Sequence, residues 1–324
     1  MDSTTNLAII GYGHMGNIYR LAYEEIRAGK HAEDYYKGDL PRWLKTLRLR
    51  AVVDPRHRMV ARGGLRVFSS VDDLISSGVR IDCAILATPI DTHYRIARQL
   101  IECGVHLLIE KPVSETAKEI QSLIRLAARR GVKLMPGHVE RYNPVTLDAR
   151  ETVRYRMYGR LNRYALTRTS RRPERVREDL VLDKLIHDID LVHCIVGSFQ
   201  VSKVKVRRQA GRIVECTVST RHRSGATGTI FSSWLVPEKK RTVDFFFDRA
   251  HLSGNLIDKT LRILRFHEMS KEITGYRNNQ IRDQLADFVY YLYSQDAGVK
   301  PLVRMSDALK SGRVIDEIRA KVIA

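Results

Sequence analysis

Apolar positions over residues 1–137 come in short runs that alternate with stretches of helical spacing. Leu7-Ala8-Ile9-Ile10 stops at Gly11, and apolar residues then recur at Ile18, Leu21, Ala22 and Ile26, the spacing of one helix face. The alternation continues with a strand over 47–53 ending at Asp54, a short strand at Val67-Phe68 and a helix over 71–77. A buried strand over 81–87, apolar from Cys83 onward, ends in Thr88-Pro89 and leads to a helix over 92–103, stopped by Gly104. The strand over 105–109 ends in Glu110-Lys111-Pro112; a helix over 114–130 follows, with Ser114 as N-cap and Gly131 as its stop. A strand over 132–135 then runs to Gly137. Predominantly apolar strands, each followed by a helix, predict an α/β fold with a doubly wound parallel sheet.

The pattern changes after residue 138. A helix over 144–159, a strand over 161–169 and a helix over 179–196 are followed by strand-like runs over 201–207, 213–220, 227–236, 242–247, 251–257 and 261–266. Helices over 279–294 and 306–323 close the chain. Successive strands without intervening helices predict an α+β domain with a large open, mostly antiparallel sheet. The expected domains are therefore 1–137 and 138–324. An open sheet face needs cover, which a homodimer or homotetramer built through this sheet would supply. The polar stretch 29–43 is long for a loop and reads as an insertion.

Gly11, Gly13 and Gly16 form G-x-G-x-x-G between the first strand and its helix, with His14 and Met15 in the same turn. The first glycine suits a tight turn, the second a close approach of backbone to a pyrophosphate, and the third close helix–strand packing. The helix start would hold the phosphates with its N–H groups. Asp54 at the end of the second strand suits the ribose hydroxyls of NAD, while Arg56 and Arg58 keep NADP open. A structural alternative is an Asp that starts the turn before Pro55. The glycine turn, Asp54, Thr88-Pro89 and Glu110-Lys111-Pro112 all fall at strand carboxyl ends, where open parallel sheets bind ligands. Lys111 there suits stabilisation of an alkoxide. Asp183 and His187 stand four apart on one helix face, with His187 as a proton acceptor and Asp183 orienting a substrate; the alternative is a surface pair. No metal is expected, because no further His or Cys lies at ligand spacing. The linker 137–144 would offer Arg141, Tyr142 and Asn143 to a substrate, or serve only as a hinge.

Lys and Arg number 56 against 37 Asp and Glu, a net charge of +19. That balance points to an anionic partner (a phosphorylated substrate, nucleic acid or an anionic surface) or to plain solvated charge. Cys83, Cys103, Cys194 and Cys216 include no C-x-x-C pair and read as reduced thiols of a cytoplasmic protein. The first residues lack the pattern of a signal peptide, and no apolar run approaches the ~20 residues of a membrane span.

Gly11-Tyr-Gly13-His-Met-Gly16, Ala87-Thr-Pro89 with His93, Glu110-Lys111-Pro112 and Asp183-x-x-x-His187, in this order, resemble the Gfo/Idh/MocA oxidoreductases. The resemblance implies a Rossmann domain followed by a sheet domain, bound NAD or NADP, and oligomers built through the open sheet. It implies that Gly11, Gly13, His14, Met15, Gly16, Asp54, Thr88, Pro89, His93, Glu110 and Lys111 serve the cofactor. It further implies Lys111 and His187 as catalytic residues and Asp183 as a substrate ligand; members differ in whether the lysine or the histidine accepts the proton. The 137–144 segment and the basic stretch Arg168–Arg177 look like the branch that oxidises nucleotide sugars such as UDP-N-acetylglucosamine, at the 3-hydroxyl to a 3-keto group. Arg168 would then pair with the substrate diphosphate. Two departures stand out: the 29–43 insertion, and Glu178-Asp-Leu-Val-Leu where the family often has glycines. Rival readings are a dehydrogenase of a free sugar or inositol, an NAD-responsive regulator binding nucleic acid, and a scaffold without activity.

Overall fold

The computed structural model describes residues 4–29, 42–56, 64–174, 176, 178–266, 271–273, 276–294 and 300–323. The expected insertion at 29–43, save its ends, lies outside the described residues, as do Arg58, Arg175 and Arg177. Two compact units emerge, one of residues 1–139 with 279–309 and one of residues 140–278 with 310–324.

The first unit holds a six-stranded sheet of β1 (Thr5–Ile10), β2 (Leu47–Val53), β3 (Arg66–Phe68), β4 (Cys83–Leu86), β5 (His106–Glu110) and β6 (Leu134–Gly137). The order is β3-β2-β1-β4-β5-β6 and every pairing is parallel. Strand order reverses between β1 and β4, the place where such sheets open a ligand crevice. The strands alternate with α1 (His14–Arg27), α2 (Arg42–Lys45), α3 (Val71–Ser76), α4 (Ile90–Glu102) and α5 (Ala117–Arg130). Ile10, Leu86, Leu100, Leu107 and Leu123 belong to a core with almost no exposure. Helix α5 starts two residues later than the expected Ser114 cap. Thr116, whose backbone is extended, accepts the Glu119 N–H, and Ser114 Oγ instead donates to the Glu119 carboxylate. Gly131 ends the helix at φ +66°, as its sequence position predicts.

The second unit begins with a 3₁₀ turn (Val139–Tyr142) and α6 (Pro144–Arg154), then β7 (Leu161–Thr169). A π-helical turn, Val181–Leu185, runs directly into α7 (Ile186–Ile195). Next come β8 (Gln200–Gln209), β9 (Arg212–Arg221), β10 (Thr227–Ser233), β11 (Lys240–Phe247), β12 (Ala250–Asn255), β13 (Thr260–Arg265) and β14 (Lys271–Ile273). The eight strands lie in the order β14-β13-β12-β11-β7-β10-β9-β8, antiparallel except for β7 beside β10. Strand β14 is three residues long and carries too little pattern to be read from sequence. Tyr164, Leu166 and Arg168 of β7 are buried, whereas Arg163, Ala165 and Thr167 between them keep some exposure, the period-two pattern of a sheet covered on one face. Helix α6 packs there: Gly254 of β12 leaves room for Val145, which would lie 2.5 Å from a Cβ at that glycine. Helix α6 stops at Arg154 and not at Gly159, because Tyr155 is its C-cap and Arg156 turns to φ +49°.

Two helices close the chain, α8 (Gln280–Tyr293) and α9 (Met305–Ile323). Helix α8 packs on α1 and α2 of the first unit. The Tyr293 hydroxyl meets Thr5 Oγ1 at 2.6 Å and Thr46 Oγ1 at 2.5 Å. Lys133 Nζ donates to the carbonyls of Tyr291 (2.7 Å), Leu292 (3.2 Å) and Ser294 (2.9 Å), closing the end of α8. Met305 and Ala308 of α9 join the core of the same unit. The compact units thus differ from the single cut expected at 137/138, because the chain returns to the first unit. The sequence change at 138 marks where strands stop alternating with helices, but an amphipathic helix does not state which sheet it covers. Lys133→Met keeps the apolar stem and strands three carbonyls. It should lower stability by about 1–3 kcal/mol, read from urea unfolding by circular dichroism, with Lys133→Arg retaining most of the loss.

Candidate functional site

In the first unit the glycine turn sits where the strand order reverses. Gly11 has φ +90°, and a Cβ there would lie 2.7 Å from the Ala87 carbonyl oxygen at the end of β4. A Cβ on Gly16 would lie 2.1 Å from the Gly11 oxygen, so α1 can approach β1 only with glycine at that position. Gly13 is different: a Cβ there meets nothing within 4 Å. The protein itself does not require that glycine, and the space it leaves fits a group brought from outside. The start of α1 supports the same fit. Ser70, Thr116, Asn143 and Asn279 each cap their helices with a side-chain oxygen, but α1 has no side-chain cap and no acidic residue in its first turn. Its first intrahelical bond runs from Asn17 N–H to the Gly13 carbonyl, so the N–H groups of Met15 and Gly16 have no acceptor within the helix. An uncapped start with its positive dipole end suits a pyrophosphate.

Asp54 lies at the end of β2, as expected. Its Oδ2 accepts from the Tyr12 N–H at 2.7 Å and its Oδ1 from the Arg56 N–H at 2.8 Å. It therefore fixes the glycine turn and starts its own turn, and each oxygen keeps a lone pair for a ribose hydroxyl. Thr88 follows β4, and Pro89 is the N-cap residue of α4. His93 is buried beneath them, with Nε2 2.8 Å from the Thr88 carbonyl and Nδ1 2.9 Å from the Pro112 carbonyl. Its bonds run to the two loops that follow β4 and β5, so it shapes the crevice from behind.

Glu110 ends β5 and points inward. Gly137 makes space for it, since a Cβ there would stand 3.1 Å from Glu110 Oε1. Tyr19 of α1 donates its hydroxyl to Oε1 at 2.6 Å, and the Lys111 N–H donates to Oε2 at 3.1 Å. The same Tyr19 oxygen lies 2.8 Å from the Gln284 side-chain amide of α8. A phenol has one proton, so with Tyr19 donating to Glu110 the Gln284 amide is satisfied when its NH₂ faces the phenol oxygen. Burial raises the Glu110 pKa, and the Tyr19 and Lys111 contacts oppose that rise. Lys111 is half-buried at the strand end, in a cis peptide with Pro112. Tyr19 and Gln284 carry no motif, so sequence reasoning missed them.

In the second unit Asp183 lies in the π-helical turn and His187 in the first turn of α7; both are partly exposed. The residues around them are anchored by two buried forks. Arg168 reaches Asp188 through Nε (3.0 Å to Oδ1) and Nη2 (2.8 Å to Oδ1), and Glu140 through Nη1 (3.0 Å). Arg141 holds Asp190 through Nε (2.8 Å) and Nη2 (2.7 Å). Burial works against the charge of Arg168, but Asp188 and Glu140 more than offset it and hold the guanidinium protonated. Arg241, opposite Arg168 across β7 and β11, also donates to Glu140 at 3.0 Å. Lys184 is nearly buried and donates to Ser170 Oγ at 2.7 Å; burial brings its pKa down to about 8, with Asp183 opposing the fall and Arg168 and Arg241 adding to it.

These contacts correct three expectations for the substrate side, those on Arg168, Arg141 and Asn143. Arg168 is 2% and Arg141 5% exposed, each committed to an internal carboxylate. Asn143 caps α6 at Val145 N–H and donates to the Leu256 carbonyl, and Tyr142 is buried. Asp188 with Glu140, Asp190 and the α6 start claim the polar groups of Arg168, Arg141 and Asn143. The basic stretch after β7 does reach the surface at Arg171 and Arg172. None of the four cysteines is in a disulfide. Among the described residues no helix is long and apolar enough to cross a membrane, and no group of three or more His, Cys, Asp or Glu could hold a metal ion.

Residues 5–138 match the model of an oxidoreductase family with an NAD-binding Rossmann fold, Gfo/Idh/MocA. The chain is 26% identical over 287 residues to UDP-N-acetylglucosamine 3-dehydrogenase of Acidithiobacillus ferrooxidans, covering 86% of this chain and 82% of that protein. The solved structure of that enzyme superposes with a TM-score of 0.79 at 21% identity, over 98% of this chain and 97% of the other. An inositol 2-dehydrogenase of Rhizobium meliloti is 26% identical over 137 residues, 40% of this chain and 41% of that protein. KijD10, a 3-ketoreductase from Actinomadura kijaniata solved with TDP-benzene and NADP, superposes with a TM-score of 0.82 at 16% identity over 98% of each chain. The glycine turn at the strand-order reversal and this match agree: residues 5–138 form an NAD-binding Rossmann domain similar to that of the Gfo/Idh/MocA oxidoreductases.

Proposed function

We propose that the chain is an NAD(P)-dependent dehydrogenase that oxidises a secondary hydroxyl of a nucleotide sugar, in the manner of UDP-N-acetylglucosamine at its 3-hydroxyl. The observation that carries the cofactor half is the glycine turn, with Gly13 facing open space beside an uncapped α1. For the substrate half, the support is the relative that acts on UDP-N-acetylglucosamine, whose match extends over 86% of the chain. The inositol dehydrogenase match covers 40% of the chain.

When bound, the nicotinamide supplies the acceptor for the hydride released from the carbinol carbon. The protein handles the proton. Lys111 at the end of β5 donates to the hydroxyl oxygen and stabilises its developing negative charge. His187 or Lys111 takes the hydroxyl proton as the C=O bond forms. Asp183 accepts from a neighbouring sugar hydroxyl and orients the ring. The start of α1 and Asp54 hold the pyrophosphate and the ribose.

Three outcomes are expected. Lys111→Ala and His187→Ala should each lower turnover of UDP-N-acetylglucosamine by about 10²–10⁴-fold, followed as NADH absorbance, with circular dichroism and NAD binding preserved. Gly13→Ala should leave the melting temperature unchanged and weaken NAD binding at least tenfold, read by calorimetry. Gly16→Ala should instead destabilise the protein by about 2–4 kcal/mol, because its Cβ collides with backbone. The third concerns Glu110. Its pKa in the fold lies above the ordinary 4.5, so as pH rises the unfolded chain loses this proton first. Glu110 therefore subtracts stability as pH climbs from about 4.5 through its folded pKa. Glu110→Gln should gain stability relative to the parent between pH 5 and 8 and show no such gain at pH 4, in urea unfolding across that range.

A further inference from the structure

The end of the second unit's sheet that carries Ser170 holds a cavity unrelated to the nicotinamide chemistry. Strands β7 and β10 run parallel and end together, and Ser170 N–H donates to the Ser233 carbonyl at 3.3 Å. Beyond that bond the chain places Arg172 over the indole of Trp234, 5.4 Å from guanidinium carbon to ring centre. Trp234 N–H donates to the Val214 carbonyl at 2.8 Å, so the start of β9, with Arg212, lies along the other side. A cavity of about 340 Å³ lies here, lined by Arg172, Gln209, Arg212, Val214, Trp234 and Leu235.

Two cations line this concavity; Arg172 Nη2 donates to the Val176 carbonyl, and among the described residues no carboxylate is ion-paired with either arginine. Glu215, three residues along β9 from Arg212, accepts from Ser233 Oγ at 3.0 Å. Two guanidinium side chains lining one concavity make its potential positive, which favours an anion there. Guanidinium forks match phosphate oxygens, and a tryptophan with an arginine beside it offers a flat surface for a ring. Ser170 Oγ, two residues before Arg172, accepts from Lys184 Nζ, and Lys184 follows Asp183 in the chain, which ties this segment to the turn carrying the expected sugar ligand.

We propose that Arg172, Arg212 and Trp234 form the binding site for the nucleoside diphosphate part of the substrate. The proposal rests on the nucleotide-sugar reading and says where its nucleotide is held, in place of the buried Arg168.

The test uses the full chain and UDP as probe. The protein has two tryptophans, Trp43 and Trp234, so in a Trp43→Phe background the indole emission reports on Trp234 alone. UDP should quench that emission saturably, and calorimetry on the unaltered chain should give the same affinity. Arg172→Ala and Arg212→Ala should each weaken UDP binding at least tenfold, while far-UV circular dichroism stays unchanged. Uridine, which lacks the phosphates, and pyrophosphate, which lacks the ring, should each bind at least tenfold more weakly than UDP. UDP binding indifferent to both arginine substitutions, or no binding at millimolar UDP, overturns the proposal. Pyrophosphate binding as tight as UDP reduces the site to a plain anion patch and overturns it too. NAD-linked oxidation of a free sugar or inositol without UDP binding would end this proposal and leave the dehydrogenase reading standing. Arginine-dependent UDP binding without turnover of any UDP-sugar would do the reverse.

Discussion

Two buried arginine–aspartate forks set the position of α7, and with it the direction of every group that helix offers. Helix α7 and the turn before it are apolar nearly all round, with Leu182, Leu185, Ile186, Ile189, Leu191, Val192 and Ile195 buried. Such a helix has little in its hydrophobic pattern to fix its rotation. Asp188 and Asp190 are two residues apart, roughly 200° around the axis, so their forks to Arg168 and Arg141 grip it from two different sides. Desolvating four charges is costly, and removing one partner leaves the other buried and unpaired. The geometry is bidentate on both sides, which is where such pairs hold direction best. Asp183 and His187 inherit their orientation from this grip.

The first unit reaches its binding geometry by the opposite means, through what is missing. Side chains are absent at Gly11, Gly13 and Gly16, and a cap is absent at α1. Around that gap the polar groups are fixed from behind: Asp54 holds the Tyr12 N–H, His93 bonds to the loops after β4 and β5, and Tyr19 holds Glu110 beneath Lys111. A helix start left open has a local electrostatic preference for an anion. The surrounding hydrogen bonds ensure that the preference is presented at one place.

Much of the first unit and most of the second unit's strands could be read from the chain because their causes are local. A glycine required by a backbone clash, a strand apolar on every residue and a histidine four residues after an aspartate declare themselves within a few positions. Arg141 and Arg168 did not, since the partners that claim them stand at Asp190 and Asp188, 49 and 20 positions away. Their charge suggested a ligand, and only the fold shows an internal acceptor. Tyr19 likewise reads as a helix residue facing the core, and its role depends on Glu110 and Gln284, 91 and 265 positions away. The α5 cap was misplaced by two residues because Ser114 and Thr116 are equally suited by type. The backbone turn decided between them.

The discontinuity of the first unit imposes an order on synthesis. Its six strands are complete by residue 137, but α8, whose Gln284 and Tyr293 meet Tyr19, Thr5 and Thr46, emerges only after the whole stretch 140–278. At typical elongation rates that interval is roughly 7–30 seconds. Throughout it, the nascent sheet has its nucleotide crevice formed in outline while the face of α1 that α8 later covers is bare. The face of α1 that α8 covers thus waits for a segment made after the whole second unit, and the ribosome's pace through residues 140–278 sets the length of that wait.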